Sequence, residues 1–442
     1  MTDYGLLSLI PTLTVLLLAI ISHRTVESLI AGVIVGLLML DPKNVVTDLS
    51  VTALNTLGDE TVKWIILVCG LLGSLIAILA KSGAAGVFGE VFSKFVDTKK
   101  KSMLATAVLG VAIFIDDYLN TLAVSSSMRR ITERYRVSSE MLAYIVDSTA
   151  APISLIIPIS TWAVFFSALI VDNGLAGPGE GLQTYISAIP YMFYPWAAMI
   201  LVFLVAGGIV PAIGPMKAAE QKAEASSAEP ATINLDGVRA NIWTFVVPMG
   251  SLVFFTVWFD IDIFQGIIAA LLVTIPMVIF QRAISVHDTF DASMDGFLSM
   301  LPPLATVFVG FMLKEVNDKL GLTQFVIDAV MPFMTPEMFP VVVFLSMGFL
   351  TFATSSSWGV FVVAFPIVVP LATAIDANMP LVLGSMLSAS GLGSHACFYS
   401  DATVLAAKGS GCTPIEHAFT QFPYAMIAAG VAAVAFVIAG AL

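Results

Sequence analysis

The stretch that decides the fold, Val111–Thr121, reads Val-Ala-Ile-Phe-Ile-Asp-Asp-Tyr-Leu-Asn-Thr. Its adjacent carboxylates, Asp116 and Asp117, close an apolar run that starts at Met103, and a second apolar run, Leu122–Met128, follows at once. Acids deep in an apolar membrane segment are costly to bury and are therefore candidates for a functional site. A short polar loop between two surface helices is the alternative interpretation.

Composition separates a soluble from a membrane protein. The 442-residue chain is 58% hydrophobic and 11% charged, with a mean hydropathy of +0.96, whereas soluble proteins carry about 25% charged residues. The sequence therefore predicts a polytopic membrane protein, in which Gly5–Ile21 is a first span and not a signal peptide. A net charge of −12 offers no basic footprint for nucleic acid. The three cysteines lack the spacing of metal ligands, so we expect free thiols.

Basic clusters on both sides of the opening stretch indicate how it enters the membrane. Lys99–Lys101 precedes it, and four arginines follow between Arg129 and Arg136. The positive-inside rule places both clusters in the cytoplasm. The 26 residues of Met103–Met128 are too few for two crossings, which need about 40 residues. We therefore predict a re-entrant hairpin with its tip at Asp116–Thr121.

A second interruption lies in the apolar segment Met141–Ile170. Its middle contains the run Asp147–Pro152, which reads Asp-Ser-Thr-Ala-Ala-Pro. Proline removes a backbone donor and disfavours helical geometry in the residue before it. The sequence therefore predicts a broken span whose unwound middle carries Asp147, Ser148 and Thr149.

The second half of the chain repeats this order. Val341–Ala353 enters, Thr354–Gly359 interrupts, and Val360–Ala372 leaves, which predicts a second hairpin. A second broken span follows at Leu381–Ala407, with Ser390–Asp401 as its predicted unwound middle. An odd number of crossings before the second half should invert it relative to the first. Inverted repeats with discontinuous helices are typical of secondary transporters.

The predicted fold class is an all-α polytopic membrane protein with two inverted repeats, each with three spans, a re-entrant hairpin and a broken helix. This gives about 10 full spans plus 2 hairpins. Residues 1–170 form the first repeat, 171–240 a connecting span and cytoplasmic linker, 241–410 the second repeat and 411–442 the final span. With the N-terminus outside and the linker 217–240 in the cytoplasm, 15 of the 19 Lys and Arg residues lie on the cytoplasmic side.

The four interruptions should converge near the middle of the membrane and form an ion site. Helix breaks expose backbone carbonyl and N–H groups, and together with carboxylate, amide and hydroxyl oxygens they suit a small alkali cation. A carboxylate removed from water holds its proton more tightly. One group can then carry either a proton or a cation, which is enough for antiport. The candidate ion-binding or substrate-binding residues are Asp116, Asp117, Asn120, Thr121, Asp147, Ser148, Thr149, Ser355, Ser356, Ser357, His395, Ser400 and Asp401.

The predicted Na⁺ ligands are Asp147, Asp401, Asp117 and Asn120. The aspartates of the two broken spans, Asp147 and Asp401, are the predicted ion carriers. They could instead serve only as helix N-caps. Asn120, Thr121 and Ser355–Ser357 could serve only as hydrogen-bonding contacts between helices, and one of Asp116 and Asp117 could simply face an arginine or water at the tip.

His395 has no metal-ligand spacing with the other histidines. It is a candidate hydrogen-bond donor beside Asp401, or a pH-sensitive group. No nucleophile triad, phosphate-binding glycine loop or cofactor motif stands out in the sequence. We therefore expect no enzymatic activity, and no cofactor apart from Na⁺ as the transported or coupling ion.

The segments Phe114–Asn120 and Ala143–Pro152 resemble the NhaC-type Na⁺/H⁺ antiporter family of the ion transporter superfamily. The resemblance continues in Ser355–Gly359 and Gly393–Thr403. It implies Na⁺/H⁺ antiport across a prokaryotic inner membrane, a scaffold domain, and a transport domain that moves like an elevator. The expected partners are the lipid bilayer, Na⁺, H⁺ and a second copy of the chain in a homodimer, and no nucleic acid.

Two departures from the family pattern lie in the second half. Ser394 replaces an acid, and Phe398-Tyr399 replaces Pro-Ile. The second hypothesis is therefore a Na⁺- or H⁺-coupled transporter of a small organic solute, an amino acid or a carboxylate, because some relatives move such solutes. A site cavity of roughly 300 Å³ or more would favour this hypothesis.

Overall fold

The computed structural model describes residues 4–22, 24–84, 87, 96–225, 241–260, 262–330, 332, 334–354, 357–398 and 400–442. Within these residues the regular secondary structure is helical and contains no strand, which confirms the predicted all-α class. A bent pair of helices between Gly181 and Ala206 could cross a membrane as one span. Five single segments are also long and apolar enough to cross: Val62–Lys81, Ser139–Asp172, Ile263–Phe280, Ser357–Ala374 and Pro414–Ala441.

The helices of the first half follow a short 3-10 turn at Gly5–Leu9. They are α1 Ile10–Ser22, α2 Thr25–Leu40, α3 Val45–Gly58, α4 Glu60–Lys81, α5 Lys99–Ala112, α6 Asp117–Arg134, α7 Ser139–Ile156 and α8 Thr161–Asp172.

A connecting region and the second half complete the chain, and a 3-10 turn at Ile189–Tyr191 lies between α9 and α10. The helices are α9 Gly181–Ala188, α10 Phe193–Ala206, α11 Gly214–Ala225, α12 Trp243–Trp258, α13 Ile263–Phe280, α14 Val286–Ser299, α15 Leu301–Leu320, α16 Leu322–Val330, α17 Phe339–Thr354, α18 Ser357–Ala374, α19 Met379–Ala396, α20 Asp401–Ser410 and α21 Pro414–Ala441.

Helices α5 and α6 form the expected pair joined by a break, but the break lies earlier than predicted. Asp117 already begins α6, so Asp117–Thr121 are the first turns of a helix and not an extended tip. The cause is Asp116, whose Oδ1 accepts the N–H of Leu119 at 3.0 Å and caps the helix. The hairpin tip is therefore residues 113–116.

Helix α7 is helical throughout, so the predicted unwinding at Asp147–Pro152 is wrong. The proline of that run sits inside the helix. The chain leaves the helix at Ile157, whose φ of −85° and ψ of 121° are extended, because Pro158 follows it. Ser160 then caps α8 by accepting the N–H of Ala163. The first helix break is therefore residues 157–160.

The polar interruptions of the second half are also shorter than predicted. Of Ser390–Asp401, the described residues Cys397, Phe398 and Ser400 leave the helix and form the second helix break, while Tyr399 lies outside the described residues. Ser357–Gly359 form the first turn of α18, whereas Ser355 and Ser356 lie outside the described residues. Glycine and serine keep their backbone donors, so a buried helix can continue through them where proline would stop it.

Both helix breaks are closed by the same hydrogen bond. Ser160 Oγ donates to the Ser154 carbonyl at 2.5 Å, and Ser400 Oγ donates to the Ser394 carbonyl at 2.8 Å. Ser160 and Ser400 also cap the helices that follow them, α8 and α20. This recurrence is consistent with a repeated motif, while the inversion of the repeats and their boundaries stay predictions.

Helices from the two halves pack against each other. Helix α14 lies along α4, and α15 lies along α2. A Cβ on Gly73 would overlap the carbonyl of Gly296, and the reverse is also true, so α4 and α14 need both glycines for their close approach. Helix α20 packs against α6 and α7. The helix after the second break therefore lies against the first hairpin.

The hydrophilic linker is partly described. Helix α11 accounts for residues up to Ala225, and 226–240 lie outside the described part of the chain. Met216 and Glu220 of α11 are buried. This portion is therefore docked onto the protein.

Candidate ion-binding site

Asp147 is the centre of a buried polar network. It lies in the middle of α7 and is 0% exposed. Its Oδ2 accepts a hydrogen bond from Gln421 Nε2 at 2.7 Å and lies 3.1 Å from His417 Nε2. Its Oδ1 has no hydrogen-bond partner among the described residues. Because a buried carboxylate oxygen rarely stays unpaired, this atom points to a bound cation, proton or water.

Helix α21 supplies both partners of Asp147. Thr420 and Gln421 follow His417 by three and four residues, which places all three on one face of the helix. Gln421 Nε2 also donates to the backbone carbonyl of His395 at 2.5 Å. A single amide group therefore connects α7 with the end of α19, just before the second helix break.

The His395 ring is held between two hydroxyl groups. Its Nε2 lies 2.8 Å from Ser148 Oγ, and its Nδ1 lies 2.7 Å from the Tyr194 hydroxyl. A neutral imidazole donates from one nitrogen and accepts at the other. Hydroxyl groups can match either role, so both tautomers of the ring are satisfied. His395 therefore links α19 to α7 and to α10.

Asn120 joins the hairpin to α7. Its Nδ2 donates to the carbonyls of Gly110 at 2.6 Å, Ile113 at 2.8 Å and Thr149 at 3.2 Å. The last carbonyls of a helix lack partners within it, so Asn120 closes the end of α5 from the next helix. The Asn120 Oδ1 and Thr121 Oγ1 atoms have no partner in the described part of the chain.

Asp116 connects the hairpin tip to the first helix break. Its Oδ2 accepts the Thr161 hydroxyl at 3.0 Å, while its Oδ1 caps α6. The Thr161 N–H donates to the Ile115 carbonyl at 3.0 Å, and Ser154 Oγ donates to the Phe114 carbonyl at 3.2 Å. Both oxygens of Asp116 are therefore occupied by structural hydrogen bonds.

Asp117 begins α6 and is 6% exposed. Its carboxylate contacts the Trp162 side chain and is repelled chiefly by the neighbouring Asp116 and more weakly by Asp147. Two buried carboxylates cannot both stay charged at low cost without a cation between or beside them. This charge interaction links the start of α6 to the middle of α7, and the convergence of the four interruptions at one ion site stays a prediction.

The remaining predicted residues either make local structural contacts or have side chains outside the described part of the chain. The Thr149 hydroxyl donates to the carbonyl of Ile145 within its own helix. Ser400 is used to cap α20, and Ser357 Oγ lies 3.5 Å from the Ser390 carbonyl. Three predicted side chains lie outside the described part, and their roles stay predictions: Ser355, Ser356 and Asp401.

The unpaired atoms around Asp147 are suited to accept hydrogen bonds or to bind a cation. They are Asp147 Oδ1, Gln421 Oε1 and His417 Nδ1. His417 Nε2 faces a carboxylate oxygen, so we assign the proton to Nε2, which leaves Nδ1 as an acceptor. Each unpaired buried acceptor costs about 1–3 kcal/mol. A small cation, or a protonated ligand, would remove that cost.

Comparison with known proteins identifies the family of the chain. The family model described as the Na⁺/H⁺ antiporter family matches residues 179–441, more than half of the chain. The chain belongs to the Na⁺/H⁺ antiporter family. Membership confirms the resemblance drawn from the sequence and makes the chain a multi-pass membrane transporter.

Similar proteins cover nearly the whole of this antiporter-family chain. An uncharacterised protein of Haemophilus influenzae is 26% identical over 472 residues, which cover 98% of this chain and 90% of the relative. The YdaH transporter of Alcanivorax borkumensis matches with a TM-score of 0.62 and 10% identity, over 89% of this chain and 88% of that one. MtrF of Neisseria gonorrhoeae matches with a TM-score of 0.53 and 13% identity, over 90% and 85%. The structural matches show a shared fold.

Three residues of this antiporter-family site were missed from the sequence: His417, Gln421 and Tyr194. The first two carried a local signal, because they form a polar face at the start of an apolar helix. Tyr194 carried none, since one tyrosine near the end of an apolar span is common.

Two cavities bear on the nature of the substrate. A groove of about 680 Å³ lies between α12 and the hairpin, with apolar lining residues such as Phe114, Phe254 and Trp258. A cavity of about 380 Å³ is lined by Trp64, Asp260 and other residues near the α12–α13 connection. Neither cavity has Asp147 or its partners among its lining residues, so neither measures the space at this site.

Proposed function

We propose that this transporter exchanges Na⁺ for H⁺ and that Asp147 carries either ion. The observation that carries the proposal is the unpaired Oδ1 of Asp147, with the free acceptors of Gln421 and His417 on the same network. The charged carboxylate and these acceptors suit Na⁺, whereas the protonated carboxyl group can donate to one of them. Antiport requires that Na⁺ and H⁺ compete for one group, here the Asp147 carboxylate.

The hairpin supplies the second wall of the proposed site. Asp117 adds a carboxylate close to Asp147, and the unpaired Oδ1 of Asn120 adds a neutral oxygen. Because Asn120 Nδ2 also bonds the Thr149 carbonyl, the hairpin and α7 are fixed to each other. This connection supports an elevator-like mechanism, in which both would move together with the ion.

We further propose a homodimer in a prokaryotic inner membrane, with the N-terminus outside and α11 in the cytoplasm. The orientation rests on the distribution of Lys and Arg. Contacts between distant charges agree with the predicted grouping of segments, because both members of each pair belong to the same predicted side. These ion pairs are Lys81–Asp288, Lys99–Glu220 and Lys314–Asp172.

The test is Asp147→Asn in proteoliposomes with an internal pH dye. We expect Na⁺-driven proton movement to fall to the level of empty liposomes, because an amide can neither exchange a proton nor supply a charge to Na⁺. Asp295→Asn is the matched control, since Asp295 is exposed on α14. Wild-type exchange by the Asp147 variant, at wild-type abundance, would remove this residue from the mechanism.

The same assay distinguishes Na⁺/H⁺ antiport from the second hypothesis, coupled transport of an organic solute. Amino acids and organic acids are added in turn after Na⁺, Li⁺ and K⁺. A proton or Na⁺ flux that requires one of these solutes would identify a coupled solute transporter in place of an antiporter.

A further inference from the structure

Helix α11, between the two halves, packs against α7 and α21, the two helices that carry Asp147 and its partners. Its Met216 is fully buried and belongs to a separate apolar cluster. We call the central members of this cluster the plug: Met141, Tyr144, Met216 and Tyr424. Each of the four is at most 2% exposed.

The plug lies one helical turn from the proposed ion site. Tyr144 precedes Asp147 by three residues on α7, and Tyr424 follows Gln421 by three residues on α21. The rings of Tyr144 and Tyr424 stack with their centroids 4.5 Å apart. The Tyr424 hydroxyl accepts the N–H of Ile213, just before α11 begins, at 2.9 Å. Helix α11 and the Asp147 network therefore lie on opposite sides of one aromatic pair.

A polar latch holds α11 in this position. Glu220 Oε1 accepts the N–H of Ser138 at 2.8 Å, and Ser138 is the residue that caps α7. The other oxygen of Glu220 pairs with Lys99 at 2.7 Å, and Glu224 pairs with the same lysine at 2.7 Å. Arg136 Nη1 also donates to the Glu224 carbonyl at 3.1 Å. The latch thus connects α11 to the starts of α5 and α7.

The charges of the latch favour the closed arrangement at neutral pH. Burial alone would lower the pKa of Lys99, but hydrogen bonds from the ammonium group to Glu220 and Glu224 outweigh it and raise the pKa. The hydrogen bond from Lys99 lowers the pKa of Glu224. The lysine therefore stays protonated and this carboxylate stays charged across the physiological range.

We propose that α11 is a lid, and that it must lift from the plug for ions to pass between Asp147 and the cytoplasm. This proposal rests on the proposed function for the identity of the ion site. Charge reversal by Lys99→Glu should open the lid, because a negative charge at position 99 would repel both carboxylates of α11. Adding Glu224→Lys should close it again, because the positive charge then carried by α11 would attract the negative charge at position 99, while Glu220 keeps its hydrogen bond to Ser138.

The experiment measures reaction of a cysteine in the plug with a water-soluble maleimide, resolved by mass spectrometry on purified protein. Met141→Cys is the reporter, and it is combined with Lys99→Glu, with Lys99→Glu/Glu224→Lys, or with Lys100→Glu. Lys100 is the matched control, because it is the next residue, is exposed, and has no ion pair to α11 among the described residues.

We expect labelling at least tenfold faster with Lys99→Glu than with Lys100→Glu, and a return toward the control rate in the double variant. Equal rates in the Lys99→Glu and Lys100→Glu proteins would overturn the lid, as would a double variant that stays open. Recovery in the double variant also shows that the fold survives charge reversal. Labelling requires no transport, so it is unaffected if Asp147→Asn disproves the proposed function.

Discussion

Asp147 accepts a hydrogen bond from the side-chain amide of Gln421, with 2.7 Å between Oδ2 and Nε2, although 274 positions separate the two residues. The same amide nitrogen holds the carbonyl of His395. The orientation of the proposed ion carrier therefore depends on the last helix and on the end of α19. Loss of this amide should disturb both connections at once.

Gln421→Leu should lower Na⁺-driven proton movement by about tenfold or more. A hydrogen bond to a charged group contributes about 1.5–3 kcal/mol, and 1.4 kcal/mol corresponds to a factor of about ten in affinity. The apparent Na⁺ affinity should weaken more than the maximal rate. Thr420→Val is the control, because among the described residues the Thr420 hydroxyl donates to carbonyls of its own helix and to no group of the Asp147 network. Similar kinetics in the two variants would contradict the role given to Gln421.

Asn120→Asp should destabilise the protein. The carboxylate cannot donate, so the carbonyls of Gly110, Ile113 and Thr149 would lose their shared donor at about 1–3 kcal/mol for each orphaned group. Asn173→Asp is the matched control, since its amide serves a single carbonyl near the surface. Thermal unfolding in detergent measures both. A melting temperature for Asn120→Asp as high as that of the control would show that the hairpin is held by other contacts.

Gly110→Ala should force α5 away from α7. An added Cβ would overlap the side chain of Thr149, and overpacking of this kind costs about 1–3 kcal/mol. Gly250→Ala provides the comparison, because its Cβ would meet open space and alanine is the better helix former. We expect a lower melting temperature only for Gly110→Ala. A stable Gly110→Ala protein would mean that this contact is looser than the structure indicates.

Lys314→Met should cost far more stability than Lys319→Met on the same helix. The Lys314 ammonium lies 2.5 Å from the Asp172 carboxylate, and both side chains are mostly buried. Removal of one partner leaves an uncompensated charge, at about 3 kcal/mol. Lys319 pairs with Glu315 nearer the surface, where such pairs contribute less than about 1 kcal/mol. Restored stability in Lys314→Met/Asp172→Leu would confirm the cause, and equal losses in the two single variants would refute it.

Features set by neighbouring residues could be predicted from the sequence. Apolar runs flanking Asp116 indicated two helices with a break, because apolar length and a capping acid act within a few residues. The first helix break was misplaced although its cause is also local. Pro158, with the capping Ser160 two residues later, carries the signal, whereas Pro152 lies within a helix that packing keeps intact.

The partners of Asp147 could not be predicted in this way. Its contact with His417 spans 270 positions and exists only because α21 packs on α7. The sequence of α21 shows a polar face, which needs polar partners when buried. The periodicity of the sequence does not say which helix provides those partners.

The hydrogen bonds between the hairpin tip and the first helix break limit how this half of the protein can change shape. With Thr161 bonded to Asp116 and Ile115, the tip cannot swing alone like a flap. Conformational change during a transport cycle must therefore occur in the loops that connect this rigid unit to the rest of the protein. Spectroscopic labels on the tip and on the break should keep one fixed separation while labels elsewhere change theirs.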